Sequence, residues 1–246
     1  MKIFCKRKNK TAKEPVIKKS LKEVYDERFY LRQRDRSYLS AKKVLAKLNS
    51  IYTDISSVMD VGCGVGTWLK VWQEINPQCQ ILGLDANELP EEKLCIKRAN
   101  LKIADFSNLD KSLVQNKKFD LVESLEVAEH IPEENAKEFI DFLTRYADIV
   151  LFSAAAKNQP GDCHVNTQYA DYWNEIFKEK GFKCFDILRS ELWEDKEICW
   201  WYRQNITIYA KGKAKTKLEN LGYKFSEHMN TYYHPEFIEQ LIGETK

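Results

Sequence analysis

The sequence predicts one α/β domain built on a mainly parallel sheet, and three observations carry that reading. Short apolar runs recur at residues 57–61, 81–85, 101–105, 119–124 and 149–153, separated by stretches long enough for a helix or a crossover. Runs such as Val58-Met59-Asp60-Val61 and Ile149-Val150-Leu151-Phe152 are apolar on both alternating sides, as strands covered on both faces must be. A glycine-rich turn, Asp60-Val61-Gly62-Cys63-Gly64-Val65-Gly66, closes the first run, at the end of a strand where open α/β sheets take ligands.

Before the first strand, residues 21–48 carry Val24, Phe29, Leu31, Leu39, Val44, Leu45 and Leu48 at helical spacing, with charges between them. A helix is expected to start directly after the glycine turn, over residues 67–74. Two further apolar runs, 182–188 and 205–210, are joined by residues 189–204, which read as non-helical and suit a hairpin. Such a hairpin places one antiparallel strand near the sheet edge. From Lys211 the chain turns basic, then aromatic (Tyr223, Phe225, Tyr232, Tyr233, Phe237), and reads as a tail on the domain.

Composition narrows the class. The chain has 246 residues, 43% of them hydrophobic, which supports a core and argues against global disorder. A formal charge of +2 gives no field for gripping a phosphate backbone, so nucleic acid is not an expected partner. Lys2, Lys6, Arg7, Lys8, Lys10, Lys13, Lys18 and Lys19 gather at the start, either as an arm for anionic surfaces or as a solvated terminus. The first residues are too charged for a signal peptide, and there is no apolar run of ~18 residues for membrane insertion. Seven widely spaced cysteines without a CxxC pair fit reduced thiols in a cytoplasmic protein.

Gly62, Gly64 and Gly66 let the backbone take positive φ and let a ligand approach closely. In the dinucleotide spacing a third glycine would stand where Thr67 is, which disfavours a nicotinamide cofactor. Asp85 ends the second run, where a carboxylate can accept from ribose hydroxyls. Asp105 and Phe106 end the third, suited to an adenine amine and ring face. With these in order, the chain resembles the class I S-adenosylmethionine-dependent methyltransferases. Residues 60–66 are similar to the family's first motif, Gly83-Leu84-Asp85 to its ribose motif, Ala104-Asp105-Phe106 to its adenine motif, and residues 119–132 to its fourth.

The resemblance spans roughly residues 58–210 and implies a Rossmann-like sheet of seven strands in the order 3-2-1-4-5-7-6, with strand 7 antiparallel. It divides the chain into residues 1–50, a basic arm and covering helix; 51–212, the methyltransferase core; and 213–246, a packed tail. It implies S-adenosylmethionine as cofactor and S-adenosylhomocysteine as product. The cofactor would be held by Asp60, Gly62, Gly64, Gly66, Trp68, Asp85, Ala86, Asp105, Phe106, Leu125 and Glu126. A non-catalytic module that keeps the fold is the reading from another class.

Methyl transfer from a sulfonium needs an aligned nucleophile, exclusion of water and, for some acceptors, a base. His164, near the end of the long loop after the fifth run, and His130, in Glu129-His130-Ile131-Pro132, are the candidate catalytic bases. His130 can equally support its loop. Tyr30, Asn166, Trp173, Trp201 and Arg203 are the candidate substrate residues, with Arg203 and Arg189 suited to a diphosphate. The tryptophans have packing as their alternative. The loop and the Trp201–Asn205 segment are similar to bacterial sugar O-methyltransferases of surface-polysaccharide (capsule) gene clusters. The expected acceptor is therefore a small molecule, a hydroxyl of a sugar or nucleotide-sugar, with N- or C-methylation open. Asp162, Glu126 and Glu129 could supply oxygen ligands, but no tight cluster is apparent and no metal is expected. A homodimer is compatible with the sequence.

Overall fold

A computed structural model describes residues 27–243 apart from 107, 108, 110, 115 and 116. The basic segment at residues 1–26 lies outside the described residues, as do the side chains of residues 27–35, Tyr30 among them.

The strands are β1 (Ser57–Val61), β2 (Gln80–Asp85), β3 (Leu101–Ile103), β4 (Leu121–Leu125), β5 (Ile149–Ser153), β6 (Lys183–Phe185) and β7 (Thr207–Ala210). They form one sheet in the order β3-β2-β1-β4-β5-β7-β6. β1 pairs in parallel with β2 and β4, and β4 with β5, whereas β7 runs antiparallel to both β5 and β6. The order and the reversed strand are those expected.

Alternation along the strands explains why both faces are covered. Successive side chains point to opposite faces, so an unbroken apolar run feeds two cores. Val58, Leu121, Leu151 and Ile208 enter one core, with α1 (Glu27–Ile51) and α2 (Thr67–Ile75). Met59, Val122, Val150 and Tyr209 enter the other, with α3 (Ala136–Tyr146) and α4 (Ala170–Glu179). In that second core Phe177 stacks on Tyr209, ring centroids 3.7 Å apart.

The segment read as non-helical between the last two runs is corrected. It carries α5 (Ile187–Leu192) and α6 (Trp200–Asn205), each six residues long. Helices that short leave too few turns for a periodic signal. Burial of Ile187, Leu188, Leu192 and Tyr202, and the Cys199 N–H donating to Ser40 Oγ of α1 at 3.0 Å, hold them instead. Beyond β7 come α7 (Gly212–Asn220) and α8 (Pro235–Gly243), with proline at the first helical position where its missing N–H costs nothing. Phe237 of α8 is buried between Trp200 and Tyr233, at 5.4 and 5.5 Å. No helix among the described residues is long and apolar enough to cross a membrane.

Candidate active site

The carboxyl ends of β1 to β5 meet along one edge. At the end of β1 the three glycines take φ of 86°, 55° and 82°. A Cβ on Gly62 would fall 2.3 Å from Val127 Cγ2, and one on Gly66 2.7 Å from Ile96 Cγ1. The turn is thus pressed between the loops after β4 and β2, and glycine is required at both places. Its Gly62 and Cys63 N–H groups donate to the Leu84 carbonyl at 2.8 and 3.1 Å. Asp85 Oδ2 accepts from the Gly64 N–H at 2.7 Å, and Oδ1 from the Asn87 N–H at 2.9 Å. Burial pushes the Asp85 carboxyl up, while these N–H groups oppose the rise.

Asp105 and Phe106 follow β3, with Phe106 half-buried and edge-on to Phe139 at 6.1 Å. Trp68 is buried edge-on to Tyr202 at 5.1 Å, Leu125 is buried at the end of β4, and Ala86 is exposed beside Asp85. Neighbouring strands are spaced by about 4.8 Å, so the β3-β2-β1-β4 order sets an acid, an acid, a Cβ-free turn and the β4 end in sequence along the edge. That donor set fits S-adenosylmethionine: carboxylates for adenine and ribose, and open backbone for the remainder.

Beneath the turn two acids lie side by side. Asp60 of β1 is in register with Glu123 of β4, and both are buried. Trp72 Nε1 donates to Glu123 Oε2 at 3.0 Å, and Oε1 has no protein partner. Burial raises the Glu123 pKa to about 8. Burial, then Glu123 and Asp85, raise that of Asp60. A carboxyl whose folded pKa is raised stays protonated in the native state after the unfolded chain has ionised. Its contribution is full below the unfolded pKa near 4.3 and is lost as pH climbs through about 8. Glu123→Gln keeps an acceptor for Trp72 and removes one ionisation. Melting temperatures measured from pH 5 to 8 are expected to fall less steeply for the variant, with a residual slope from Asp60. Parallel curves would refute the assignment.

The acceptor side is built by the loops after β4 and β5. Glu126, at φ 57°, donates its N–H to the Ser153 carbonyl at 3.0 Å. Its carboxylate accepts from Asn205 Nδ2 at 3.2 Å and Gln159 Nε2 at 3.4 Å. Gln204 Nε2 donates to Gln159 Oε1 at 2.9 Å, and the His234 N–H donates to Gln204 Oε1 at 2.8 Å. Burial lifts Glu126 to about 7. The loop after β5 folds back because the Val165 and Asn166 N–H groups both donate to the Glu129 carbonyl at 2.9 Å. Cys163 takes φ 61° to allow it, an uncommon conformation for a residue with a Cβ. The fold-back sets His164 edge-on to His130, ring centroids 5.0 Å apart, with His164 Nε2 3.8 Å from Glu129 Oε1.

Both imidazoles are held below their ordinary pKa, His164 by burial and His130, at about 4, by burial and then His164. A ring that weakly basic is a poor acceptor for a hydroxyl proton, so His130 suits orientation or ligation better than general-base work. The expectation of no tight ligand cluster is also corrected, since Glu129, His130 and His164 bring one ligand atom each within 4.8 Å of one another.

Several candidate substrate residues turn inward. Arg203 is 2% exposed and donates to the Trp193 carbonyl at 2.8 Å and to Glu236 of α8. Arg189 donates twice to Asp186, at 2.6 Å each, and to the Asn230 carbonyl at 2.9 Å. Neither guanidinium is left to hold a diphosphate. Trp173 is buried against Phe152 and lines a small cavity of about 30 Å³, space for a water but not a sugar ring. Trp201 packs against Trp200 and Tyr202 at 5.6 and 5.9 Å. Asn166 is buried behind Glu129, its Oδ1 taken by Gln168 Nε2 at 2.8 Å. Gln159 and Asn205 were missed as site residues, and Glu129 was weighed only as an oxygen ligand. Glu129 was legible as the acid beside His130, whereas Gln159 and Asn205 carry no local signal.

A family model described as "Methyltransferase domain" matches residues 27–244. Among solved structures, the sugar N-methyltransferase KedS8 from Streptoalloteichus sp ATCC 53650 is similar with a TM-score of 0.59 at 12% identity, over 83% of this chain and 99% of that one. SAM-bound CalS10 from Micromonospora echinaspora, an amino pentose methyltransferase involved in calicheamicin biosynthesis, gives 0.56 at 12%, over 78% and 99%. Streptomyces venezuelae DesVI gives 0.54 at 15%, over 77% and 97%. At these identities the likeness concerns the fold. No curated protein sequence matches.

Proposed function

Since this chain belongs to the methyltransferase-domain family, with S-adenosylmethionine as its cofactor, we propose that it methylates a hydroxyl of a sugar, free or nucleotide-linked, of the kind found in surface polysaccharides. S-adenosylmethionine supplies an electrophilic methyl carbon on a sulfonium. Asp85 receives the ribose, Asp105 and Phe106 the adenine, and the glycine turn with Leu125 the remainder. Trp68 backs the turn, and Asp60 braces it from below.

The observation that carries the acceptor reading is the cluster of Glu129, His130 and His164 at the ends of β4 and β5, with Glu126 near enough for its charge to raise the Glu129 carboxyl. An amine attacks as its free base, whereas a hydroxyl must be oriented and relieved of its proton. His164 and His130 orient the hydroxyl, and Glu126, fixed by Asn205 and Gln159, accepts its proton. The names of KedS8 and CalS10 support a sugar as acceptor and favour amino-sugar N-methylation as the second reading. A nucleotide-linked acceptor must find cations other than Arg189 and Arg203 for its diphosphate.

The test is S-adenosylhomocysteine release with S-adenosylmethionine and a panel of nucleotide-hexoses, nucleotide-heptoses, free sugars and amino sugars. Release with neutral sugars supports the hydroxyl reading. Release confined to amino sugars moves the reaction to nitrogen, and release with none of them defeats the carbohydrate reading.

A further inference from the structure

We propose that Glu129, His130 and His164 form a binding site for one divalent first-row transition-metal ion. Whether the ion binds is independent of the acceptor; what it does there rests on the reading of this face as the acceptor side.

Geometry comes first. One ligand atom from each residue lies within 4.8 Å of the others, and His164 Nε2 is 3.8 Å from Glu129 Oε1. Two ligands each about 2.1 Å from one ion stand roughly 3–4 Å apart, so this pair needs little movement to share it. The two histidines come from different loops, and the two hydrogen bonds that the Val165 and Asn166 N–H groups donate to the Glu129 carbonyl tie those loops together.

Chemistry agrees. His164 Nδ1 is 3.1 Å from the Gln159 carbonyl, and His130 Nδ1 is 3.2 Å from the Cys163 carbonyl. A carbonyl only accepts, so Nδ1 carries the proton in each ring and the lone pair of the neutral imidazole is on Nε2. Metal-binding histidines are set up by this kind of backbone partner. Gly161 completes the seat, since a Cβ there would fall 2.2 Å from the His164 ring.

An independent observation points to a missing partner. Glu129 is 1% exposed and its Oε2 has no hydrogen-bond partner. A carboxylate so placed is unfavourable unless a cation or hydrogen bonds compensate it. His164 Nε2 lies 3.8 Å from Oε1, and Glu126 adds a like charge nearby. A cation held by this carboxylate and the imidazoles resolves that deficit. The group of Asp171, Glu175 and His228 shows the contrast: Glu175 and His228 are exposed, and Glu175 is paired with Lys178 at 2.7 Å.

Two imidazoles and one carboxylate are the donor set of zinc, iron or cobalt more than of magnesium or calcium, and they leave coordination positions open. An acceptor hydroxyl entering one of these would be acidified. Its proton passes to Glu126, its oxygen forms the new C–O bond, and the methyl–sulfur bond breaks with the electron pair left on sulfur. The products are a methyl ether, a neutral thioether and one proton.

The experiment titrates chelator-treated full-length protein with Co²⁺, followed by visible absorption, and with Zn²⁺, followed by calorimetry. Mg²⁺ serves for comparison, and S-adenosylhomocysteine affinity reports that each variant is folded. We expect one Co²⁺ or Zn²⁺ per chain, binding weakened about 100-fold in His164→Gln and in Glu129→Gln, and no change in His228→Ala. Absence of a one-to-one site in the wild type overturns the proposal. So does a site that survives in the His130→Ala/His164→Ala double variant. Stoichiometric binding without methylation of any sugar leaves the metal site standing and sinks only the acceptor reading.

Discussion

Gly62→Ala is expected to weaken S-adenosylhomocysteine binding by about 100-fold, equivalent to about 2.8 kcal/mol. Two penalties combine. The φ of 86° puts any L side chain in the left-handed region, at a cost of about 1–2 kcal/mol. The new methyl would also stand 2.3 Å from Cγ2 and 2.9 Å from Cγ1 of Val127, a buried β-branched residue with little rotamer freedom. Overpacking of this kind costs about 1–3 kcal/mol. The turn must therefore shift, and the Gly64 N–H that orients Asp85 shifts with it. Calorimetric titration measures the affinity and thermal melting the stability. Adding Val127→Ala removes the clash but not the φ strain, so the double variant should recover part of both losses. Wild-type affinity in Gly62→Ala would show that the turn does not cradle the donor.

Asp186→Ala should lower folding stability by about 3 kcal/mol, because it leaves a buried guanidinium without its counter-charge. The Arg189 side chain is 3% exposed and that of Asp186 21%, so water can replace little of what is lost. The remaining bond to the Asn230 carbonyl and the Tyr232 ring 4.7 Å away do not supply a negative charge. Removing the exposed Lys137–Glu179 pair, 67% and 53% accessible, should by comparison change stability by less than about 1 kcal/mol. Urea denaturation of both variants makes the comparison. Equal midpoints for Asp186→Ala and wild type would return Arg189 to the pool of ligand-binding cations.

The sheet was legible because its information is local. A run such as Ile149-Val150-Leu151-Phe152 supplies both faces of one strand without reference to any other part of the chain. The glycine turn was legible because positive φ at three places leaves few residue choices. The acceptor side was legible only as far as loops and residue types. That His130 and His164 touch depends on Cys163 taking φ 61° and on two N–H groups finding the Glu129 carbonyl, and neither leaves a pattern in the sequence.

The arginines show the same division. Asp186 and Arg189 stand three apart, a spacing at which side chains of one turn meet, yet Arg189 read from the sequence as a diphosphate cation. Arg203 and Glu236 are joined only by the way α8 docks on α6. Trp173 read from the sequence as a substrate residue with packing as its alternative, and it shares one buried helical face with Ile176 and Phe177. The two short helices before β7 escaped notice since tertiary burial, not propensity, holds them.

The amide chain through Gln204 and Gln159 has a mechanical meaning. The Gln159 side chain grips Glu126 and receives Gln204, its own carbonyl steadies His164, and Gln204 is in turn capped by the His234 N–H at the start of α8. The C-terminal helix and the acceptor loop are therefore geared: a tilt of one is delivered to the imidazole of the other through three residues. Control over the angle of His164 is shared by a part of the chain that is remote in sequence and need never touch the substrate.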